Sequence, residues 1–163
     1  TFGHTAVLTS EELAAAGPAR LGPDALDALP RSPALAARLA GRTAPIKPLL
    51  LDQRLVAGLG NIYADEVLFR ARLRPDRPAG SLEHDEVRAL RRAVRPVLEA
   101  SLRRGGTSLA DLAYLLPDGR AGDYLERLAV YGRAGEPCRR CGTAVVRIVQ
   151  RGRSAYFCPG CQR

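Results

Sequence analysis

Methionine and tryptophan are absent from these 163 residues, histidine occurs twice and lysine once, at position 47. Without methionine the chain lacks an initiator residue and reads as a processed or truncated piece of something longer. No apolar run approaches the ~20 residues of a membrane span, which excludes an integral helical membrane protein. The start, Thr1-Phe2-Gly3-His4, has no basic region followed by an apolar one, so no secretory signal is read. Apolar residues at 46% and charged residues at 26% exclude wholesale disorder. The length suits one domain, or one domain with a small appendage, and allows a real core.

Lysine is scarce, but positive charge is not. The formal net charge is +8, carried almost entirely by arginine. Residues 1–50 hold 5 basic against 4 acidic groups, residues 51–130 hold 13 against 12, and residues 131–163 hold 7 against 1. The excess therefore sits in the last 33 residues, with all four cysteines. A basic module at one end suggests a polyanion partner, most simply nucleic acid. The alternatives are a solubilising surface or a codon bias toward arginine.

The cysteines, Cys138, Cys141, Cys158 and Cys161, are spaced C-x2-C-x16-C-x2-C. Two residues between paired cysteines let a tight turn present both thiolates to one metal, and 16 residues suffice for a hairpin that returns the chain to it. Four thiolates close a tetrahedron around one structural zinc and leave no position for a catalytic water. Pro137, Gly142 and Pro159-Gly160 fit the knuckle turns. Val145–Val149 and Ser154–Phe157 read as two strands with Arg151-Gly152-Arg153 at the turn. Two disulfides fit poorly without a secretion signal. A redox Cys-x-x-Cys would need a βαβ unit, which is absent. The two arginines at the tip suit a finger that touches phosphate, although hairpin tips are often simply solvated.

Before this module the pattern is helical. Thr9-Ser10-Glu11-Glu12 is a capping box that opens a short helix through Ala16. Ser32-Pro33 caps a second helix running to about Ala40. A third stretch is expected from about Pro45 to Ala57, with Ile46, Leu49, Leu50 and Val56 facing a core. Two glycines, Gly58 and Gly60, then break the chain, and a helix starts near Asn61 and runs to about Arg72. A glycine turn feeding a helix N-terminus is a phosphate-sized anion site, although it is equally a common tight connection between packed helices. Ser81 caps a long helix with Val87, Leu90, Val94, Val97 and Ser101 on one face, where Pro96 should kink it locally. Its Arg-rich outer face reads as solvated. Gly105-Gly106 ends it, Thr107-Ser108-Leu109 starts another short helix, and Leu116–Gly122 is a loop. The fold class is mainly α: a helical domain followed by a small β-hairpin zinc finger.

The run Asp52–Glu66 strongly resembles the helix–two-turns–helix motif of formamidopyrimidine-DNA glycosylases. Val130-Tyr131-Gly132-Arg133, Gly135-Glu136-Pro137-Cys138 and the closing Cys158-x-x-Cys161-Gln162 resemble that family's zinc finger. Phe2-Gly3 and Leu21-Gly22-Pro23-Asp24 resemble the end of its catalytic domain and the following linker. The Gly-Asn-Ile-Tyr form favours the formamidopyrimidine branch over the endonuclease VIII branch. The resemblance implies three parts: 1–30, the end of a catalytic domain with its linker; 31–130, the helix–two-turns–helix domain; 131–163, the zinc finger.

It further implies a base-excision DNA glycosylase and AP lyase removing oxidised purines such as formamidopyrimidine and 8-oxoguanine, working as a monomer on damaged double-stranded DNA in the bacterial cytoplasm. Asn61, with the turn of Gly58 and Gly60, is expected to hold phosphates flanking the damaged nucleotide. Lys47 matches a lysine near the lesion-side backbone. Arg153 matches an arginine that clamps phosphates of the extruded nucleotide and serves the δ-elimination step. Phe2 matches the wedge that fills the gap left by base flipping, and Leu116–Tyr124 the segment that covers the flipped base. The family's arginine beside the wedge is not matched, since Thr1 stands there. Its nucleophile, an N-terminal proline amine with an adjacent glutamate, belongs to a domain preceding residue 1, so this chain is expected to bind DNA without cleaving it. The alternative is a stand-alone zinc-containing nucleic-acid module without enzymatic activity.

Overall fold

The computed structural model describes residues 6–15, 20–108, 119 and 121–163. Phe2, the helix expected to start at 107–109 from residue 109 onward, and residues 116–118 and 120 of the expected loop lie outside them. Five α-helices precede one antiparallel hairpin among the described residues.

Helix α1, Ser10–Ala15, is opened by the expected capping box: Glu12 N–H donates to Thr9 Oγ1, and Thr9 N–H donates back to Glu12 Oε2. Helix α2, Ser32–Leu39, takes Arg31 as N-cap, so Ser32 is its first residue rather than its cap. Pro33 fits the first turn, where no amide is needed.

Helix α3 covers only Ile46–Leu50, not the full stretch to Ala57. The cause is Asp52. Its Oδ1 accepts the backbone N–H of Arg54, offering the chain a side-chain partner in place of the helical ladder. Helix α4, Asn61–Ala71, starts after Gly60 and stops at Arg72 in the left-handed region, with Leu73 N–H reaching back to Leu68 carbonyl.

Helix α5, His84–Leu102, is capped by Glu83 and Glu86 rather than by Ser81, which falls in a short 3-10 turn. The helix continues through Pro96 without a break. Its arginines are largely engaged locally: Arg88 with Asp85, Arg95 with Glu99 and the Leu26 carbonyl, Arg91 with the Pro30 carbonyl. This agrees with a solvated face that also pins the preceding linker.

Leu35, Leu39, Ile46, Leu50, Leu59, Leu68 and Leu90 form the centre of the helical core with Val67 and Val87. Each such side chain contributes about 1.5–3 kcal/mol of burial. A second, smaller core joins Phe69 of α4 to Val130, Val145, Cys138 and Cys158. Strands β1, Val146–Gln150, and β2, Arg153–Phe157, pair antiparallel with Gln150 opposite Arg153. The turn is therefore only Arg151-Gly152, and Arg153 is the first residue of β2.

Candidate nucleic-acid interface

The zinc finger is built around its thiols. Cys138 and Cys158 are buried, Cys161 half-buried and Cys141 exposed, and all four Sγ atoms lie within 4.8 Å of one another. A tetrahedral ion with ~2.3 Å zinc–sulfur bonds holds its sulfurs about 3.8 Å apart. Cys138 and Cys161 stand at 3.9 Å, Cys141 and Cys158 at 3.5 Å. This geometry fits one structural zinc with a closed thiolate shell. The Thr143 hydroxyl and amide beside Cys141 favour its thiolate and bring that thiol down to about 6. Gly160 leaves the second knuckle room to close: a Cβ there would come 2.7 Å from Thr143 Oγ1 and 3.3 Å from Cys141 Sγ, so either side chain would have to shift.

The glycine turn is built from its side chains inward. Gln53 holds it from below, accepting the Gly58 N–H at 2.8 Å and donating to the Leu59 carbonyl at 3.1 Å. Ala57 pairs with the linker, donating to the Pro23 carbonyl and accepting from Ala25. Gly58 has φ +87°, and a Cβ would also meet Asp24 Oδ2 at 3.4 Å. Gly60 is extended, with open space where a Cβ would stand, so approach to the α4 N-terminus is unobstructed. Ala64 N–H closes the first helical bond to Gly60 carbonyl, which leaves the leading amides facing outward at the positive end of the helix dipole. No side chain caps this end, and Asn61 Oδ1 is buried without a partner.

Three buried ionic groups fasten the zinc finger to these helices, Lys47 and Asp65 at strand β2 and Glu66 at the segment 129–131 that leads into the finger, and sequence reasoning missed Asp65 and Glu66. Lys47 is 1% exposed. Its Nζ stands 2.8 Å from Asp65 Oδ1 and donates to the Ser154 carbonyl at 2.5 Å. Asp65 Oδ2 accepts the Tyr156 N–H at 2.9 Å. Burial pushes the Asp65 carboxyl up to about 7 against the pull of Lys47, and burial likewise lowers the Lys47 ammonium. Glu66 accepts three consecutive backbone amides, from Ala129, Val130 and Tyr131, at 2.8–3.0 Å. Burial raises its carboxyl, opposed by those amides. Gln162 adds a fourth tie, accepting from Cys158 N–H and donating to the Leu73 carbonyl. The available signal was an acidic pair set inside the apolar run Ile62–Phe69.

These ties bring the expected site residues together. Asn61 and Asp65 are four residues apart and so share one face of α4. Asp65 is bonded to β2 directly and through Lys47, and Arg153 is the neighbour of Ser154 in that strand. Lys47 itself is enclosed, its ammonium occupied by Asp65 and Ser154. Arg153 stays exposed with no carboxylate at salt-bridge distance among the described residues. The two halves of the candidate interface thus sit on one continuous hydrogen-bonded frame.

Both the helical part and the zinc finger of the chain match known families. The family model described as the formamidopyrimidine-DNA glycosylase H2TH domain matches residues 21–112. One described as a zinc finger found in FPG and IleRS matches residues 135–163. A formamidopyrimidine-DNA glycosylase of Thermus thermophilus is 52% identical over 143 residues, covering 88% of this chain and 54% of that protein. One of Heliobacterium modesticaldum is 47% identical over 163 residues, covering 99% and 58%. The crystal structure of a Lactococcus lactis Fpg mutant in complex with a Fapy-dG-containing DNA matches with a TM-score of 0.83 and 32% identity, over 96% of this chain and 57% of that one. The chain spans about half the length of the curated relatives it matches.

Proposed function

Because the chain belongs to the formamidopyrimidine-DNA glycosylase family, we propose that it is the DNA-gripping part of a base-excision glycosylase and AP lyase acting on oxidised purines in damaged duplex DNA. A base inside a duplex is out of reach, so it must be rotated out at a cost of a few kcal/mol. The bent backbone must then be held. The leading amides of α4, with Asn61 and the open turn at Gly58 and Gly60, offer donors for phosphates flanking the damaged nucleotide. Arg153 offers a second, cationic grip from the hairpin. Lys47 contributes from behind, by holding the strand that carries Arg153. Glycosylase chemistry would come from residues outside those described here.

The observation that carries this reading is the frame itself: Asp65, one turn beyond Asn61, is fixed to Tyr156 and, through Lys47, to Ser154 beside Arg153. Two grips mounted on one rigid support suit a ligand whose phosphates are spaced along a strand. The test is fluorescence anisotropy of the chain with a duplex carrying an abasic analogue, an intact duplex, and RNA of the same sequence, across a salt series. We expect the abasic duplex to bind tightest, with affinity falling steeply as salt rises. Equal binding of abasic and intact duplex, or preference for RNA, would replace this reading with a stand-alone nucleic-acid module.

A further inference from the structure

Only two non-glycine residues among those described have positive φ, Arg72 and Arg151. Arg72 is explained by its place, since its left-handed backbone ends α4 and its amide is bonded into the cap. Arg151 is not explained in this way. It is the first of the two residues linking β1 to β2, at φ 47°, followed by Gly152 at φ 77°. A two-residue hairpin turn with both residues left-handed favours asparagine, aspartate or glycine at its first position. Arginine there is strained, and its long side chain finds no compensating partner. It is exposed, with no hydrogen bond or ion pair to any described residue.

Its surroundings are consistent with an external anion. Arg151 lines a groove of about 270 Å³ between the hairpin tip and α3, together with Lys47, Pro48, Asp52, Gln150 and Arg153. Asp52, the groove's acid, is held by Arg54. Lys47 is buried with its ammonium taken up by Asp65 and the Ser154 carbonyl. The uncompensated charge of the groove is therefore that of Arg151 and Arg153. Gln150, just before the turn, leaves Oε1 buried without a partner. Strain kept at an exposed tip, with a free cation on it, is a pattern that accompanies ligand contact.

We propose that Arg151 is a second phosphate contact of the hairpin, adding sequence-independent and lesion-independent grip beside Arg153. Arg151 stands on the turn, two residues before Arg153 at the start of β2, a spacing that lets the tip meet a further phosphate of a duplex running along it. Such a contact strengthens binding to damaged and undamaged duplex equally, because it lies outside the distorted nucleotide.

The proposal rests on the reading that the hairpin grips damaged DNA, and the test separates the two. Wild type, Arg151→Gly and Arg153→Ala are compared for anisotropy-measured affinity to abasic and intact duplexes over a salt series, and for melting temperature. Arg151→Gly should weaken both duplexes about three- to tenfold by a common factor and flatten the log–log salt slope by about one. It should also melt at or above the wild-type temperature, because glycine relaxes the turn. Arg153→Ala should instead narrow the preference for abasic over intact duplex. Unchanged affinity and salt slope in Arg151→Gly, with wild type still preferring the abasic duplex, would overturn the Arg151 contact and leave the broader reading standing. Wild type without that preference would overturn both. A lower melting temperature in Arg151→Gly would contradict the strain on which the inference is built.

Discussion

Replacing Lys47 by methionine removes the ammonium while keeping an unbranched apolar stem in the same channel. Asp65, 0% exposed, then loses its counter-ion, and the Ser154 carbonyl loses its donor. The buried carboxylate can escape only by taking a proton. Its ordinary value is 3.8. With Lys47 in place the carboxyl titrates at about 7, so below that value wild type holds it protonated as well, and above it the variant alone bears a cost of about 1.4 kcal/mol per pH unit, hence about 3 kcal/mol at pH 9. Together with the lost donor to Ser154, that approaches the ~3–5 kcal/mol typical of breaking a buried pair from one side. For a chain of this size we expect the melting temperature to fall by about 10 °C at pH 9. The penalty should shrink by about 1.4 kcal/mol per unit as pH drops from 9 to 7 and level off below, where wild type is protonated too. Lys47→Met with Asp65→Leu leaves no charge behind and should recover most of the loss. The assay is thermal unfolding followed by circular dichroism, in zinc-buffered solution. A fall of the same size at pH 9 and pH 6, or a double variant less stable than each single one, would refute the reasoning.

The other expectations concern the metal, the turn and titration. Cys138→Ser should abolish stoichiometric zinc and unfold the tail while leaving the helical signal near normal; full metal content by atomic absorption would contradict the closed thiolate site. Asn61→Ala should weaken binding of abasic duplex with little change in melting temperature, and a large melting shift with intact binding would assign Asn61 to packing instead. Asp65 binds its proton more tightly when folded, at about 7 against 3.8. Its contribution is therefore complete below about pH 4 and lost as pH rises through 7. Asp65→Asn should accordingly flatten the decline of stability between about pH 5.5 and 7.5, and an unchanged slope would place the titration elsewhere.

Features set by local spacing were legible in the sequence. The cysteines announced a zinc hairpin because ligand spacing is a short-range constraint, and the glycine turn announced a helix start because only a break and a new N-terminus satisfy that pattern. Element limits failed where a side chain competed with the backbone. Asp52 ended α3 seven residues early, and the Glu83–Glu86 pair took the cap expected at Ser81. The fasteners were harder to foresee. The resemblance matched Lys47 to a lysine near the lesion-side backbone, whereas its enclosure depends on a strand that lies 107 residues further on. Nothing near position 47 says that Asp65 and Ser154 will enclose it. Arg151 was visible as an arginine at a tip, whereas its strained backbone appears only once the hairpin register is fixed at Gln150 opposite Arg153.

The central claim is that the α4 N-terminus and the hairpin hold one DNA molecule at the same time. Titrating isotope-labelled chain with an abasic-analogue duplex and following backbone amides by NMR tests it most directly. The amides of Asn61, Ile62 and Tyr63 and those of Gly152 and Arg153 should shift together along one saturating curve. Movement of one set while the other stays still, or two curves with separate midpoints, would contradict it.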